Sequence, residues 1–157
     1  MSGVLTLDDV RLGGKVVLYR VDVNSPLEPS SGAFLDDSRL RAIIPTLRTL
    51  QNSKVIIIGH QSRPGKIDFT NMEQHADRIS RLMGKKVNFV PDICGEEAIQ
   101  AINDLKVGEI LFLDNIRMHD EENSMKKSSL EQTSQSEIVR KLSSVIDVYV
   151  TDAFAAS

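Results

Sequence analysis

Three segments hold the residues whose types and spacing could do chemistry: Arg20-Val21-Asp22-Val23-Asn24-Ser25-Pro26-Leu27, Asp36-Asp37-Ser38-Arg39 and Gly59-His60-Gln61-Ser62-Arg63-Pro64. Asp22, Asn24, Arg39, His60 and Arg63, joined by Arg117 in Asp114-Asn115-Ile116-Arg117, supply three guanidinium groups, one imidazole, one carboxylate and one amide. Guanidinium forks match phosphate and carboxylate oxygens with paired, charge-assisted hydrogen bonds, while Asp and Asn fix hydroxyl groups by accepting and donating. The set suits a small phosphorylated hydroxy acid. It suits a metal badly, because the acids are scattered among cations and the His spacing matches no zinc site. Each residue also has a plainer reading. Arg39 and Arg63 could be solvated surface groups, His60 a structural hydrogen-bonding residue, and Asp22 a loop cap.

Elements able to bring these segments together are visible in the apolar patterning. Runs rich in Val, Ile and Leu at 16–21, 54–58, 87–90, 110–113 and 148–151 predict five strands buried on both faces of a parallel sheet. Between the first two, Leu40, Ile43, Ile44, Leu47 and Leu50 recur at helical spacing, with Pro45 either breaking the helix or marking the first turn of a shorter one. Thr70 and Glu73 have the spacing of a capping box ahead of Ala76, Ile79 and Leu82, with Gly84 as the stop signal. Ala98, Ile99, Ile102 and Leu105 predict a third helix, and Ile138, Val139, Leu142 and Val145 a fourth. The expected fold is α/β: a three-layer, Rossmann-like open parallel sheet of about five strands with helices on both faces. In such sheets ligands bind outside the carboxyl ends of the strands, where the polar segments would converge. Residues 120–136 read as a long solvated connection.

Composition sets the bounds. A chain of 157 residues with 41% hydrophobic and 26% charged residues is ordinary globular usage for about one domain. Its net charge of −3 offers no overall field for nucleic acid or an anionic membrane, so an anionic ligand must be held by locally gathered Arg and His. A single cysteine, Cys94, and an N-terminus without a basic-then-apolar signal pattern point to the cytoplasm. Cys94 is expected to act as a small buried hydrophobe and Arg20 to sit in a structural ion pair, while His75, on a helix, and His119, in a polar loop, carry no signal beyond their residue type. Gly13-Gly14-Lys15 precedes a strand instead of linking strand to helix, so it is a turn and not a phosphate-binding loop.

Taken in order, these motif words resemble the N-terminal, substrate-binding domain of phosphoglycerate kinases, and His60-Gln61-Ser62-Arg63-Pro64-Gly65-Lys66 resembles the archaeal type. The resemblance implies that Asp22, Asn24, Arg39, His60, Arg63 and Arg117 contact 3-phosphoglycerate or 1,3-bisphosphoglycerate. Arg63 and Arg117 would hold the fixed phosphate with His60, and Asp22 and Asn24 would orient the glycerate. Arg39, in the catalytic role, would stabilise charge on the phosphoryl group passing to ADP. It also implies a glycolytic kinase in which a separate C-terminal domain binds magnesium and ADP or ATP. On that reading, residues 1–157 are a truncated N-terminal domain that binds no cofactor, holds the glycerate substrate and is inactive alone.

Asp114 stands where Glu is usual in that family, Thr151 where Asn is usual, and Met118 where an aromatic is expected. Two other classes compete by architecture. A receiver-like signalling domain would place an acidic pair after the first strand, an Asp after the third and a Lys after the fifth; Asp22 stands alone and Asp92 follows strand three, but no Lys follows strand five. A non-catalytic anion-binding or interaction domain is the other.

Overall fold

The apolar runs become strands β1 (Val16–Arg20), β2 (Lys54–Ile58), β3 (Val87–Phe89), β4 (Ile110–Phe112) and β5 (Val148–Thr151). The structure, a computed structural model, describes residues 12–28, 30–62, 65–117 and 140–151. All pairings are parallel, and the sheet order is β3-β4-β2-β1-β5. β1 therefore lies between β2 and β5, in register Leu18 with Ile56 on one side and with Tyr149 on the other.

Alternation along each strand divides the core into two layers. Val17, Tyr19, Val55, Ile57, Val87, Ile110 and Phe112 face helices α1 (Ser38–Ala42), α2 (Ile44–Thr49) and α3 (Glu73–Met83), through Leu40, Leu47, Ala76 and Ile79. Leu18, Ile56, Ile58, Leu111 and Leu113 face α4 (Glu96–Asn103) and the helical residues 140–142, through Ala98, Ile102 and Leu142. Both faces are thus covered, which explains the continuous apolar strands. Fully burying one such side chain contributes about 1.5–3 kcal/mol, so these two layers hold the scaffold that carries the loops.

Local chemistry accounts for the helix ends. Pro45 occupies the first turn of α2, where its missing N–H is not needed, and the helical segment is split into α1 and α2 at Ile43. Gly84 closes α3 in the left-handed region at φ 66°. The expected capping box does not form. α3 starts at Met72 as cap, without a side-chain cap bond, and the Glu73 N–H is taken by Asn71 Oδ1 at 3.0 Å. Thr70 instead gives its carbonyl to the Asn115 amide at 2.7 Å, a tertiary bond that places it before the helix. Gly14, at φ 76°, sits in a turn whose N–H bonds to the Asn52 carbonyl, as expected for a turn ahead of β1.

Arg63, Met118, His119, residues 120–136, two apolar positions of the fourth helix (Ile138 and Val139) and the segment after Thr151 lie outside the described residues.

Candidate functional site

The parallel sheet brings the candidate loops together at the carboxyl ends of its strands. Asp22 and Asn24 follow β1, His60 follows β2, Arg117 follows β4, and Arg39 lies in the first turn of α1. The strands extend into these loops by further backbone bonds: Val21 N–H to the Ile58 carbonyl, Leu113 N–H to Ile57, and Ile116 N–H to Gly59. Gly59 is required by close approach. A Cβ there would lie 3.0 Å from Val23 Cγ2 and 3.2 Å from the Val21 carbonyl oxygen, tighter than ordinary contact, so glycine lets the β1 and β2 loops pass side by side without displacing either.

Three of the predicted residues are joined directly or through one backbone group. Arg39 donates from one terminal nitrogen to both carboxylate oxygens of Asp22, each at 2.9 Å. The Asn24 N–H reaches Asp22 Oδ1 at 3.3 Å, and Asn24 Oδ1 accepts the Ser62 N–H at 2.6 Å. The Arg39 side chain is 49% exposed and that of Asp22 21%, so the pair is worth only about 0–1 kcal/mol of stability. Among the described residues the other Arg39 donors have no hydrogen-bond partner.

The neighbouring acids have structural work. Asp36 turns the chain by accepting the Ser38 N–H at 3.0 Å. Asp37 holds α1 to α3, pairing with Arg41 at 2.8 Å and Arg78 at 3.4 Å. The Arg41 hydrogen bond, reinforced by Arg41 and Arg78 charge, draws the Asp37 carboxyl below its usual range despite some desolvation. Asp92, the acid after β3, accepts the N–H groups of Ile93 at 2.9 Å and Ala98 at 2.8 Å, serving as the cap that α4 takes from a distance. Asp92 is thus occupied by its own helix, unlike a phospho-acceptor held ready.

Beneath the loops is a buried polar hub that the sequence reading missed. Gln61 is fully buried; its Oε1 accepts the Ser25 N–H at 3.0 Å and its Nε2 donates to the Ser25 carbonyl at 2.8 Å. His75 from α3 meets the same Oε1 through Nε2 at 3.0 Å. Asn115, also fully buried, donates to the Gln61 carbonyl at 2.9 Å and accepts the Arg117 N–H at 3.0 Å. Asp114 Oδ1 accepts the N–H groups of Asn115 at 2.7 Å and Met72 at 3.2 Å, while burial raises its carboxyl above the usual range against those bonds. His75 is driven the other way. Burial pushes its imidazole down to about 4, helped by the charge of His60 and opposed by the Val23 carbonyl. Its position was a usable signal, since His75 falls on the Met72, Ala76, Ile79 face of a helix whose pattern is otherwise apolar.

Arg20 is buried at the end of β1, and its charge bears on the Tyr149 phenol of β5. Cys94 is half-buried and packs against the α4 layer. A broad groove lined by Pro91, Asp92, Cys94, Glu97, Gln100 and Lys141 contains none of the candidate residues. Among the described residues no cluster of three or more His, Cys, Asp or Glu could hold a metal, and no helix is long and apolar enough to cross a membrane.

The fold places the chain among open parallel α/β domains that take their ligands at strand carboxyl ends. Residues 7–157 match the phosphoglycerate kinase family, and the chain belongs to it. It is 47% identical over 152 residues to the phosphoglycerate kinase of Methanocorpusculum labreanum, covering 97% of this chain and 37% of that protein. It is 42% identical to that of Archaeoglobus fulgidus over 157 residues, covering 100% of this chain and 38% of the relative. The crystal structure of phosphoglycerate kinase from Pyrococcus horikoshii superposes with a TM-score of 0.85 at 37% identity, over 98% of this chain and 37% of that one. The Coxiella burnetii enzyme, at 22% identity and a TM-score of 0.69, shares the fold. The chain spans little more than a third of the length of these relatives. Membership in this family removes the receiver-like alternative.

Proposed function

We propose that this chain is the glycerate-holding part of a phosphoglycerate kinase, the enzyme that moves a phosphoryl group reversibly from 1,3-bisphosphoglycerate to ADP in glycolysis. Asp22 and Asn24 orient the glycerate, His60, Arg63 and Arg117 hold its fixed phosphate, and Arg39 stabilises the charge on the migrating phosphoryl group. The observation that carries this reading is the linkage of Asp22, Asn24, Arg39 and the Ser62 N–H, from separate loops, at the carboxyl end of the sheet. Phosphoryl transfer asks little covalent chemistry of the protein, so a rigid cationic cradle supplies what is needed through positioning and electrostatics. The Asp22–Arg39 pair is weak enough to be shared with or yielded to substrate at little cost. The described residues do not fit a magnesium nucleotide: they offer no metal cluster and no glycine-rich strand-to-helix loop. By the family likeness we assign Mg-ATP and ADP to a separate C-terminal domain, and to this chain alone binding without turnover. The cytoplasm is the compartment that goes with this role.

The test is calorimetric titration of the chain with 3-phosphoglycerate, repeated with Arg117→Ala. Saturable binding that weakens roughly tenfold or more on loss of one charged contact supports the reading. Binding unaffected by the substitution removes Arg117 from the site.

A further inference from the structure

We infer that Gln61 is a positioning residue for the glycerate loops: its buried amide clamps Ser25 and His75 so that Asn24, His60 and Ser62 hold one geometry. The inference rests on the reading of those loops as the glycerate site. Its physical basis is the amide itself. A methionine or leucine of similar size would fill the space without demanding partners, whereas a fully buried carboxamide must be bonded or cost stability. Here the amide's orientation is determined. The Ser25 N–H requires Oε1 and the Ser25 carbonyl requires Nε2, so His75 has to donate its Nε2 proton to the remaining lone pair of Oε1. The clamp has one register and one tautomer.

The same residue is held through its backbone, since Asn115 Nδ2 donates to the Gln61 carbonyl. Its two chain neighbours are His60 and Ser62. Ser62 lies in the left-handed region at φ 57°, a conformation a serine keeps only when its surroundings impose it, and its N–H is bonded to Asn24 Oδ1. α3 reinforces the arrangement from behind: Phe34 packs edge-on to His75 at 5.0 Å, and Arg78 lies over the Phe34 ring at 5.4 Å. Gln61 therefore couples α3 and the β4 loop to the loops after β1 and β2 without touching ligand itself.

The experiment compares the chain with Gln61→Met, and with Ile102→Val in the opposite core layer as a control for general destabilisation, by amide hydrogen exchange and by titration with 3-phosphoglycerate. In Gln61→Met the Ser62 amide, which makes no bond to Gln61, exchanges roughly tenfold faster relative to the Leu18 and Ile56 strand amides, and 3-phosphoglycerate affinity falls roughly tenfold. Ile102→Val changes neither. If Ser62 protection moves only in step with the strand amides, Gln61 is a core-filling residue and the inference is overturned. Should Gln61→Met fail to fold, His75→Phe, which removes one of the three bonds to the amide, takes its place with the same criterion and a smaller expected effect. Absence of any 3-phosphoglycerate binding by the unsubstituted chain overturns the glycerate reading instead, while the exchange result still decides the role of Gln61.

Discussion

Arg39 is where the chemistry and the geometry meet. Its position in the first turn of α1 is set by the Asp36 turn and the Asp37 pairings, and one of its nitrogens rests on Asp22 while the others have no described partner. An arginine so placed can turn toward a phosphoryl group without losing much. Arg39→Ala in a full-length enzyme should lower kcat by roughly 10²–10³ with little change in KM, the pattern for charge stabilised only in the transition state. A change in KM alone would make Arg39 a binding group. Ser62 makes the opposite trade. It holds a left-handed backbone that costs a non-glycine residue about 1 kcal/mol, so Ser62→Gly should raise the unfolding free energy by up to that amount, read as a higher denaturant midpoint at an unchanged m-value. The charged residues could be read directly from the sequence because their types announce their chemistry. Gln61 could not, since its significance lies in Ser25, 36 positions away, and His75 showed only as a polar residue on the apolar face of its helix.

At the scale of elements, the loops depend on how strands and helices are joined. The crossing of the β1 and β2 loops leaves a Cβ at Gly59 short of room, because the opposing Val21 carbonyl belongs to backbone tied into the ladder. Gly59→Ala should therefore destabilise the chain by about 1–3 kcal/mol, measurable by denaturant melts. α3 brings a pH dependence with it. His75 is neutral when folded, with its titration lowered to about 4, and returns to about 6.5 when the chain unfolds. Between those values the unfolded state binds more protons, so stability is complete above pH 6.5 and declines as the pH falls toward 4, by roughly 1.4 kcal/mol per pH unit at most. Asp114, raised by burial, works in the opposite sense above the ordinary carboxylate range, since its protonated form is favoured in the folded chain. Thermal melts from pH 7 to 4.5 should show a steep loss that is flatter in His75→Phe; equal slopes would mean that His75 is not buried as described. The strands were legible because burial on both faces leaves an unbroken apolar run, and their observed ends differ from the expected ones by a residue at most. The capping box at Thr70 misled because a local motif competes with tertiary bonds, and Asn115 took that carbonyl.

For the molecule as a whole, the sheet gathers Asp22, Asn24, Arg39, His60 and Arg117 at the carboxyl ends of its strands, where the proposed glycerate site lies. The chain spans 37–38% of its curated relatives' length, and charge-assisted contacts supplied by the remainder would each add about 1.5–3 kcal/mol. Affinity of this chain for 3-phosphoglycerate should accordingly be weak, on the order of millimolar. The central claim, that the glycerate site is built by these loops, is tested most directly by a backbone NMR titration with 3-phosphoglycerate at low salt, with sulfate as the control anion. A glycerate site built by these loops gives saturable shifts confined to the loops after β1, β2 and β4 and to the start of α1, smaller with sulfate. A well-dispersed spectrum that does not shift, or that shifts equally with both anions, would contradict it.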